Sequence, residues 1–150
     1  MATKAKQMNN ETEIRNLIDG IVKAMREKNA DALLSNYSEE TVMFVMAPPL
    51  QYTPDNAPGK KGLEEWFASW NSPLDYEVRD LHITTGNDVA FSHSLNRMSG
   101  TRTEGEKMDM WFRHTLCFRK IDGKWKITHE HESVPFYMDG SYRAAVDLKP

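Results

Sequence analysis

The chain has 150 residues, the length of one ordinary domain and enough to bury a single sizeable core without staples. A formal net charge of −3 and the absence of a basic stripe exclude the usual nucleic-acid footprint. One cysteine, Cys117, cannot close an internal disulfide. No apolar run approaches the roughly 20 residues of a spanning helix, and Met1 to Asn10 lacks the apolar centre of a secretory signal, so the expected setting is the cytoplasm, with no membrane partner.

Residues 1–10 read as a flexible polar tail. Asn10 with Glu13 three residues on resembles a capping pair. Ile14, Leu17, Ile18, Ile21, Val22 and Met25 then recur at helical spacing and predict a helix over 11–28. Asn29 caps a short second helix over 30–37, with Leu33, Leu34 and Tyr37 on one side. The β-rich run 41–46 predicts a short strand. Pro48, Pro49, Pro54 and Pro58 interrupt regular structure up to Gly59; a loop of this length is either a lid or binding loop, or disordered. Leu63, Trp66, Phe67 and Trp70 fall at i, i+3, i+4 and i+7 and predict a third helix over 61–71, whose aromatic side is pocket wall, plain core or both.

Beyond Pro73 the period drops to 2. Strands are predicted over 75–85, 89–99, 108–121 and 124–134, separated by a turn at Gly86-Asn87-Asp88, a polar link over 100–107 and a tight turn at Asp122-Gly123. Pro135 ends the last strand, and residues 137–150 read as an irregular tail. Three helices and a short strand followed by four long hairpin-linked strands define an α+β fold. The strands are long enough to twist strongly, so the expectation is a cone-shaped α+β barrel: three N-terminal helices packed on a strongly curved, mainly antiparallel sheet, hollow at one end. That hollow is the expected ligand site.

The residues Arg113-x-Thr115, Phe118-Arg119-Lys120-x-Asp122-Gly123-Lys124-Trp125-Lys126-Ile127 and His129-Glu130-His131-Glu132-Ser133-Val134-Pro135-Phe136, with the opening helix leading to Asp31, Leu34 and Tyr37, resemble the SnoaL-like members of the nuclear transport factor 2-like superfamily. The superfamily includes ketosteroid isomerase, scytalone dehydratase, polyketide cyclases and the association domain of calcium/calmodulin-dependent kinase. The resemblance covers residues 11–136. It implies the cone fold but no single activity, since the fold hosts isomerases, dehydratases, cyclases and plain binding domains.

Strand alternation leaves two choices of inward face, depending on whether the turn at Gly123 holds two residues or carries a bulge. Alignment with the family on Gly123 selects the bulge. The resemblance then places Met110, Phe112, His114, Leu116, Thr128, Glu130 and Glu132 on the concave face. Trp111, Arg113, Trp125, Ile127, His129 and His131 go to the convex face, with Arg113 opposite His131. Because family members commonly pair through this sheet, a homodimer is expected to cover it. The isomerase pattern is broken: its strand-1 base aligns with Val45, its buried acid with Phe112, and helix 1 offers no tyrosine at the aligned turn, so steroid isomerisation is not expected.

His114 with Glu130 and Glu132 is the acid–base candidate; a structural ion pair within the sheet is the competing reading. Met43, Val45, Trp66, Phe67, Trp70, Met110, Phe112 and Thr128 are the expected ligand contacts. His129-x-His131 has a spacing that suits a metal, but a facing arginine and the lack of a carboxylate on that face argue for structural hydrogen bonding, and no metal or cofactor is expected. Asp109 is either an acid at the pocket mouth or an ordinary ion-pair partner, and Cys117 reads as an inert thiol. Two functions follow: a cofactor-free isomerase, cyclase or dehydratase that moves protons on a small carbonyl or polyketide-like compound, or a non-catalytic module that binds a small apolar or amphipathic ligand or dimerises.

Overall fold

The computed structural model describes residues 3–150. Helix α1 spans Lys4–Arg26, with Thr3 as its N-cap accepting a hydrogen bond from the Lys6 amide. The flexible tail expected over 1–10 is therefore helical from Lys4 onward, while Met1 and Ala2 lie outside the described residues. Lys4, Ala5, Lys6, Gln7 and Met8 are strong helix formers with exposed side chains, so they carry no apolar period for a sequence reading to find.

Asn10 is not a cap. It is wholly buried in mid-helix, where its Nδ2 donates to the Gly86 carbonyl at 3.1 Å and its Oδ1 accepts from Lys120 Nζ at 3.3 Å. It ties α1 to the far ends of the sheet. Asn10→Ala removes both bonds and leaves buried groups unpaired, so urea denaturation should show a loss of about 1–3 kcal/mol.

Helix α2 covers only Ala30–Leu34, capped by Asn29 through a 3.0 Å bond from the Ala32 amide. Tyr37 consequently belongs not to the helix but to strand β1, Tyr37–Phe44, which begins earlier than expected. Helix α3 spans Gly59–Ala68. The long strands are β2 (Asp75–Thr85), β3 (Val89–Thr101), β4 (Lys107–Ile121) and β5 (Lys124–Ser133), close to the predicted spans. They form one sheet in the order β1-β5-β4-β3-β2, with β1 parallel to β5 and every other pair antiparallel. Ile14, Ile18, Ile21 and Met25 of α1 share the core with Phe112, Leu116 and Phe118 of β4, so the helices fill the concave side of a curled sheet.

The β4–β5 hairpin corrects the expected pairing. Asp122 and Gly123 have φ of 51° and 78°, and Ile121 pairs with Lys124, the geometry of a two-residue turn that matches the strand twist. The bulge lies higher: Phe118 pairs with Ile127 and Cys117 with His129, leaving Thr128 as the extra residue. Below it Trp125 and Ile127 face inward and are buried in the core, not on the convex face. Above it the parity switches. Glu130 pairs with Leu116 and Glu132 with His114, all on the inner face, while Arg113 stands opposite Ser133, and His131 opposite Thr115. Trp111, Arg113, His129 and His131 do lie on the outer side, together with exposed Val89, Phe91 and Ile121 and the stacked pair His82 and His93.

Residues 137–150 are irregular but held. The Tyr137 amide donates to Arg143, the Ala145 amide donates to Pro135, and Ala145 is buried.

Candidate functional site

A cavity of about 720 Å³ opens between α1–α3, β1 and the upper ends of β3–β5. Its wall is apolar: thioethers of Met25, Met43, Met46, Met98, Met108 and Met110 alternate with Tyr52, Trp66 and Phe112. The proline-rich segment is ordered and forms part of this wall. Met43 and Tyr52 exchange backbone hydrogen bonds of 2.9 and 2.8 Å, which fold the loop back over β1 and bring Tyr52, Pro54, Ala57 and Pro58 to the cavity.

The floor is polar. Glu130, on β5, accepts hydrogen bonds on Oε2 from Tyr37 Oη at 2.8 Å and from His114 Nε2 at 3.1 Å. His114 lies behind Glu130 rather than on the cavity wall, and the two side chains are only 6% and 10% exposed. Its other nitrogen, Nδ1, lies 3.1 Å from the side-chain amide of Asn96, which also contacts Tyr76 Oη at 2.8 Å and Ser94 Oγ at 2.6 Å. A continuous buried chain thus runs Ser94–Asn96–His114–Glu130–Tyr37, with Tyr76 as a branch. With the amide nitrogen toward His114, the imidazole is neutral and donates through Nε2. Turned over, the amide presents its oxygen and matches an imidazolium.

Burial alone would pull the His114 pKa down, but the hydrogen bond and charge of Glu130, with the charge of Glu132, outweigh it, so the imidazole holds its proton more tightly than an ordinary histidine. The amide orientation that accepts from Nδ1 is the one this charged state requires. Burial would likewise push Glu130 up, yet the hydrogen bonds and charges around it, His114 foremost, bring it below the usual carboxylate value. Glu132 has no such help. Burial and the neighbouring Glu130 charge push its pKa up to about 7, with His114 and a backbone hydrogen bond from Met46 opposing only in part. Two adjacent carboxylates are therefore driven apart: Glu130 is a fixed anion and Glu132 exchanges its proton near neutrality. Burial, and then the charge of the glutamates, raise Tyr37 and Tyr76 well above the usual phenol value, so both phenols stay protonated and Tyr37 keeps donating to Glu130.

His114, Glu130 and Glu132 each present a ligand atom within 4.8 Å of the others, a spacing that would also suit one divalent ion. A metal there would have to displace the proton shared by His114 and Glu130. His129 and His131 form no such group: His129 Nδ1 engages the Val42 carbonyl at 2.8 Å, and Phe44 packs edge-on against both rings.

Of the expected contacts, Met43, Val45, Trp66, Met110 and Phe112 line the cavity, as do Glu130 and Glu132. Phe67 and Trp70 do not; each is 3% exposed, packed in the core behind Trp66. Helix α3 stops at Ala68, and only its Trp66 side reaches the opening. Thr128 also fails to reach it, because as the bulge residue it turns its hydroxyl to the Cys117 carbonyl. Asp109 is an ordinary ion-pair partner, held at both oxygens by Arg97 at 2.7 and 2.8 Å. Cys117 is half-buried with its pKa raised by burial, as an inert thiol should be.

The sequence reading missed Tyr37, Tyr76, Asn96 and Ser94. A signal for two of them existed: Ser92, Ser94 and Asn96 occupy alternate positions of β3 and are all buried, a polar inner face that needs partners. Tyr37 was hidden by its assignment to α2.

The family model for the SnoaL-like domain matches residues 14–137. No curated protein matches the chain. Among solved structures, a nuclear transport factor 2-like protein of unknown function from Pseudomonas putida KT2440 is 29% identical, with a TM-score of 0.82 over 95% of this chain and 98% of that one. A proposed scytalone dehydratase from Novosphingobium aromaticivorans DSM 12444 is 14% identical, with a TM-score of 0.75 over 95% of each chain. The hexachlorocyclohexane dehydrochlorinase LinA-type3 from Novosphingobium barchaimii LL02 is 13% identical, with a TM-score of 0.72 over 99% of this chain and 100% of that one. At 13–14% identity the last two speak for the fold and not for a shared reaction. With a cone-shaped α+β fold, a curled five-stranded sheet and a family match over most of its length, the chain belongs to the SnoaL-like family of the nuclear transport factor 2-like superfamily.

Proposed function

We propose that the cavity binds a small apolar or amphipathic organic molecule and that the protein moves a proton on it without a cofactor, in an isomerase- or lyase-type reaction. The observation that carries this reading is the pair Glu130 and Glu132 on the floor of an otherwise apolar cavity, with His114 bonded to Glu130 from behind; burial and the Glu130 charge push Glu132 up to about 7. In that role Glu132 is the general base, taking a proton from a carbon next to a carbonyl and returning it elsewhere. The His114–Glu130 pair stays behind it, with Tyr37 aiming Glu130 and Asn96 aiming His114. Val45 and Phe112 stand where the steroid isomerase resemblance would need carboxyl groups, which sets this chain apart from that reaction.

A direct test uses α-tetralone in D2O, with exchange at the carbon next to the carbonyl followed by proton NMR. Exchange accelerated by the parent protein and not by Glu132→Gln supports proton transfer. Binding of the ketone with no acceleration would instead favour the non-catalytic module.

We further propose that a second copy covers the convex sheet face, where Val89, Phe91 and Ile121 lie exposed around the outward rings of His82, His93 and His131. Sedimentation equilibrium at micromolar concentration should give a mass near twice 17.3 kDa; a monomer would remove this assignment. No helix among the described residues is long and apolar enough to cross a membrane. With its lone thiol, the chain fits a reducing compartment, and the cytoplasm is the setting we assign.

A further inference from the structure

The cavity lining is one-sided in charge. Glu39, Glu130 and Glu132 reach it, and no lysine or arginine among the described residues does. Two basic side chains beside α2 and α3 are engaged elsewhere: Lys60 holds Asp31 at 3.0 Å, and Lys28 donates to the Trp70 and Ser72 carbonyls at 2.8 and 3.0 Å. Glu130 has two donors, but no side chain among the described residues donates to Glu132. It is a half-buried carboxyl group on the cavity lining, and the one nearby cation, His114, is already bonded to Glu130.

The rest of the cavity lining is rich in polarizable, electron-rich surfaces. Trp66, Tyr52 and Phe112 offer ring faces and edges, and Met43, Met46 and Met110 offer thioethers. Aromatic faces attract a desolvated cation, and thioethers adapt to irregular apolar shapes. An anionic ligand would meet Glu130 and Glu132 across a low-dielectric space, and His114, already bound to Glu130, is a single positive charge against two negative ones.

We propose that this cavity selects by charge: its ligand is a hydrophobic organic monocation, such as a protonated amine on an apolar ring or chain, with its head in the field of Glu132 and its body against the methionine and aromatic wall. This rests on the reading of the cavity as the ligand site, and it narrows the substrate class to positively charged compounds over neutral ones, with carboxylates and phosphates refused.

The pH dependence has a definite sign. The groups facing Glu132 are Glu130 on its own strand, His114 on β4, Tyr37 on β1 and Tyr76 on β2, and the two phenols stay protonated through neutrality. Below pH 7 Glu132 is protonated in the empty site and must release that proton when the cation enters. Affinity for the cation therefore falls as pH drops below 7, by up to about tenfold per unit, and above 7 it rises further only as His114 gives up its own proton.

Calorimetry with three matched probes tests this: 2-naphthylmethylamine, 2-naphthylmethanol and 2-naphthoate, at pH 5.5, 7 and 8.5. The expected result at pH 8.5 is an amine at least tenfold tighter than the alcohol and no detectable naphthoate binding, with the amine's advantage shrinking at pH 5.5. In Glu132→Gln, with its fold checked by near-UV circular dichroism, the amine's advantage over the alcohol should vanish. Naphthoate binding as well as the amine, or an amine advantage that survives in Glu132→Gln, would overturn the proposal. If none of the three binds, the proposal and the ligand-site reading both fail. If the amine binds selectively while α-tetralone exchange is not accelerated, charge selection stands and only the proton-transfer reading is lost.

Discussion

At pH 8, Glu132→Gln should be both nearly inactive and more stable than the parent protein. The loss of rate follows from removing the general base, a contribution of roughly 10²–10⁴-fold. In the parent, kcat/KM should rise with pH and level off above an inflection near 7, because the ionised form of Glu132 is the active one. The gain in stability comes from the same shift. A carboxyl group ordinarily titrates near 4.3, so when the folded value is about 7 the unfolded chain gives up this proton first. The ionised group then works against folding, and the cost accumulates as pH rises from about 4.5 to 7. It reaches at most about 4 kcal/mol, reduced by whatever water screens the carboxylate in the cavity. The glutamine variant lacks this cost. Urea denaturation should show parent and variant alike near pH 4.5, diverging up to about pH 7 and differing by a constant amount above it. A difference that does not change with pH would mean that Glu132 is solvated like a surface acid. A variant that kept its rate would remove Glu132 from the chemistry.

Glu130→Ala should have the largest effect on stability. The substitution strips the partner from both Tyr37 Oη and His114 Nε2 and leaves an imidazole with a raised proton affinity buried beside Glu132. Breaking a buried ion pair by removing one member costs about 3–5 kcal/mol, out of a total near 5–15 kcal/mol for a domain of ordinary stability. Glu130→Gln can still accept from Tyr37 and His114 and should lose less, about 1–2 kcal/mol. The pH dependence again fixes the assignment. Glu130 has a lowered value, so its contribution is complete above about 4.5 and fades as pH falls further. His114 has a raised value, so its contribution is complete below about 6.5 and fades as pH rises through its folded value. Their joint contribution peaks between those limits, and the deficit of Glu130→Ala should be greatest near pH 5.5–6. A deficit unchanged from pH 4 to 9 would show that packing, and not charge, is what the pair provides.

The four long strands were legible because their limits are chemical: Pro73, the Gly86 turn, Asp122-Gly123 and Pro135 each forbid continuation. The middle of α1 was legible from its apolar stripe, but its first turns were not, since a solvent-exposed helix needs no stripe. Phe67 and Trp70 share a helix side with Trp66 in sequence, yet Phe67 is turned about 100° from Trp66 and Trp70 lies beyond the end of α3, and only the packing settles which side chain meets the cavity. The inward trio His114, Glu130 and Glu132 was reached through the family resemblance, with the bulge assigned to Gly123. Thr128 carries it instead, and for that reason Trp125 and Ile127 were assigned to the wrong side. A bulge of this kind leaves no residue signature, because it depends on which ladder spacing lets β5 satisfy β1 and β4 together. Asn96 and Tyr76 could be found only once β2, β3 and β4 were set side by side, since their role lies in contacts between strands.

That single unpaired residue on β5 has a wider meaning. His129, Glu130, His131 and Glu132 alternate acid and imidazole along one strand, so every inward slot has two candidate occupants of opposite chemistry. Were Thr128 drawn into the ladder, the imidazoles would replace the carboxylates inside, giving a floor suited to holding transition metals and leaving the acids in solvent. The bulge at Thr128 therefore decides which of the two sets, the carboxylates or the imidazoles, looks into the cavity.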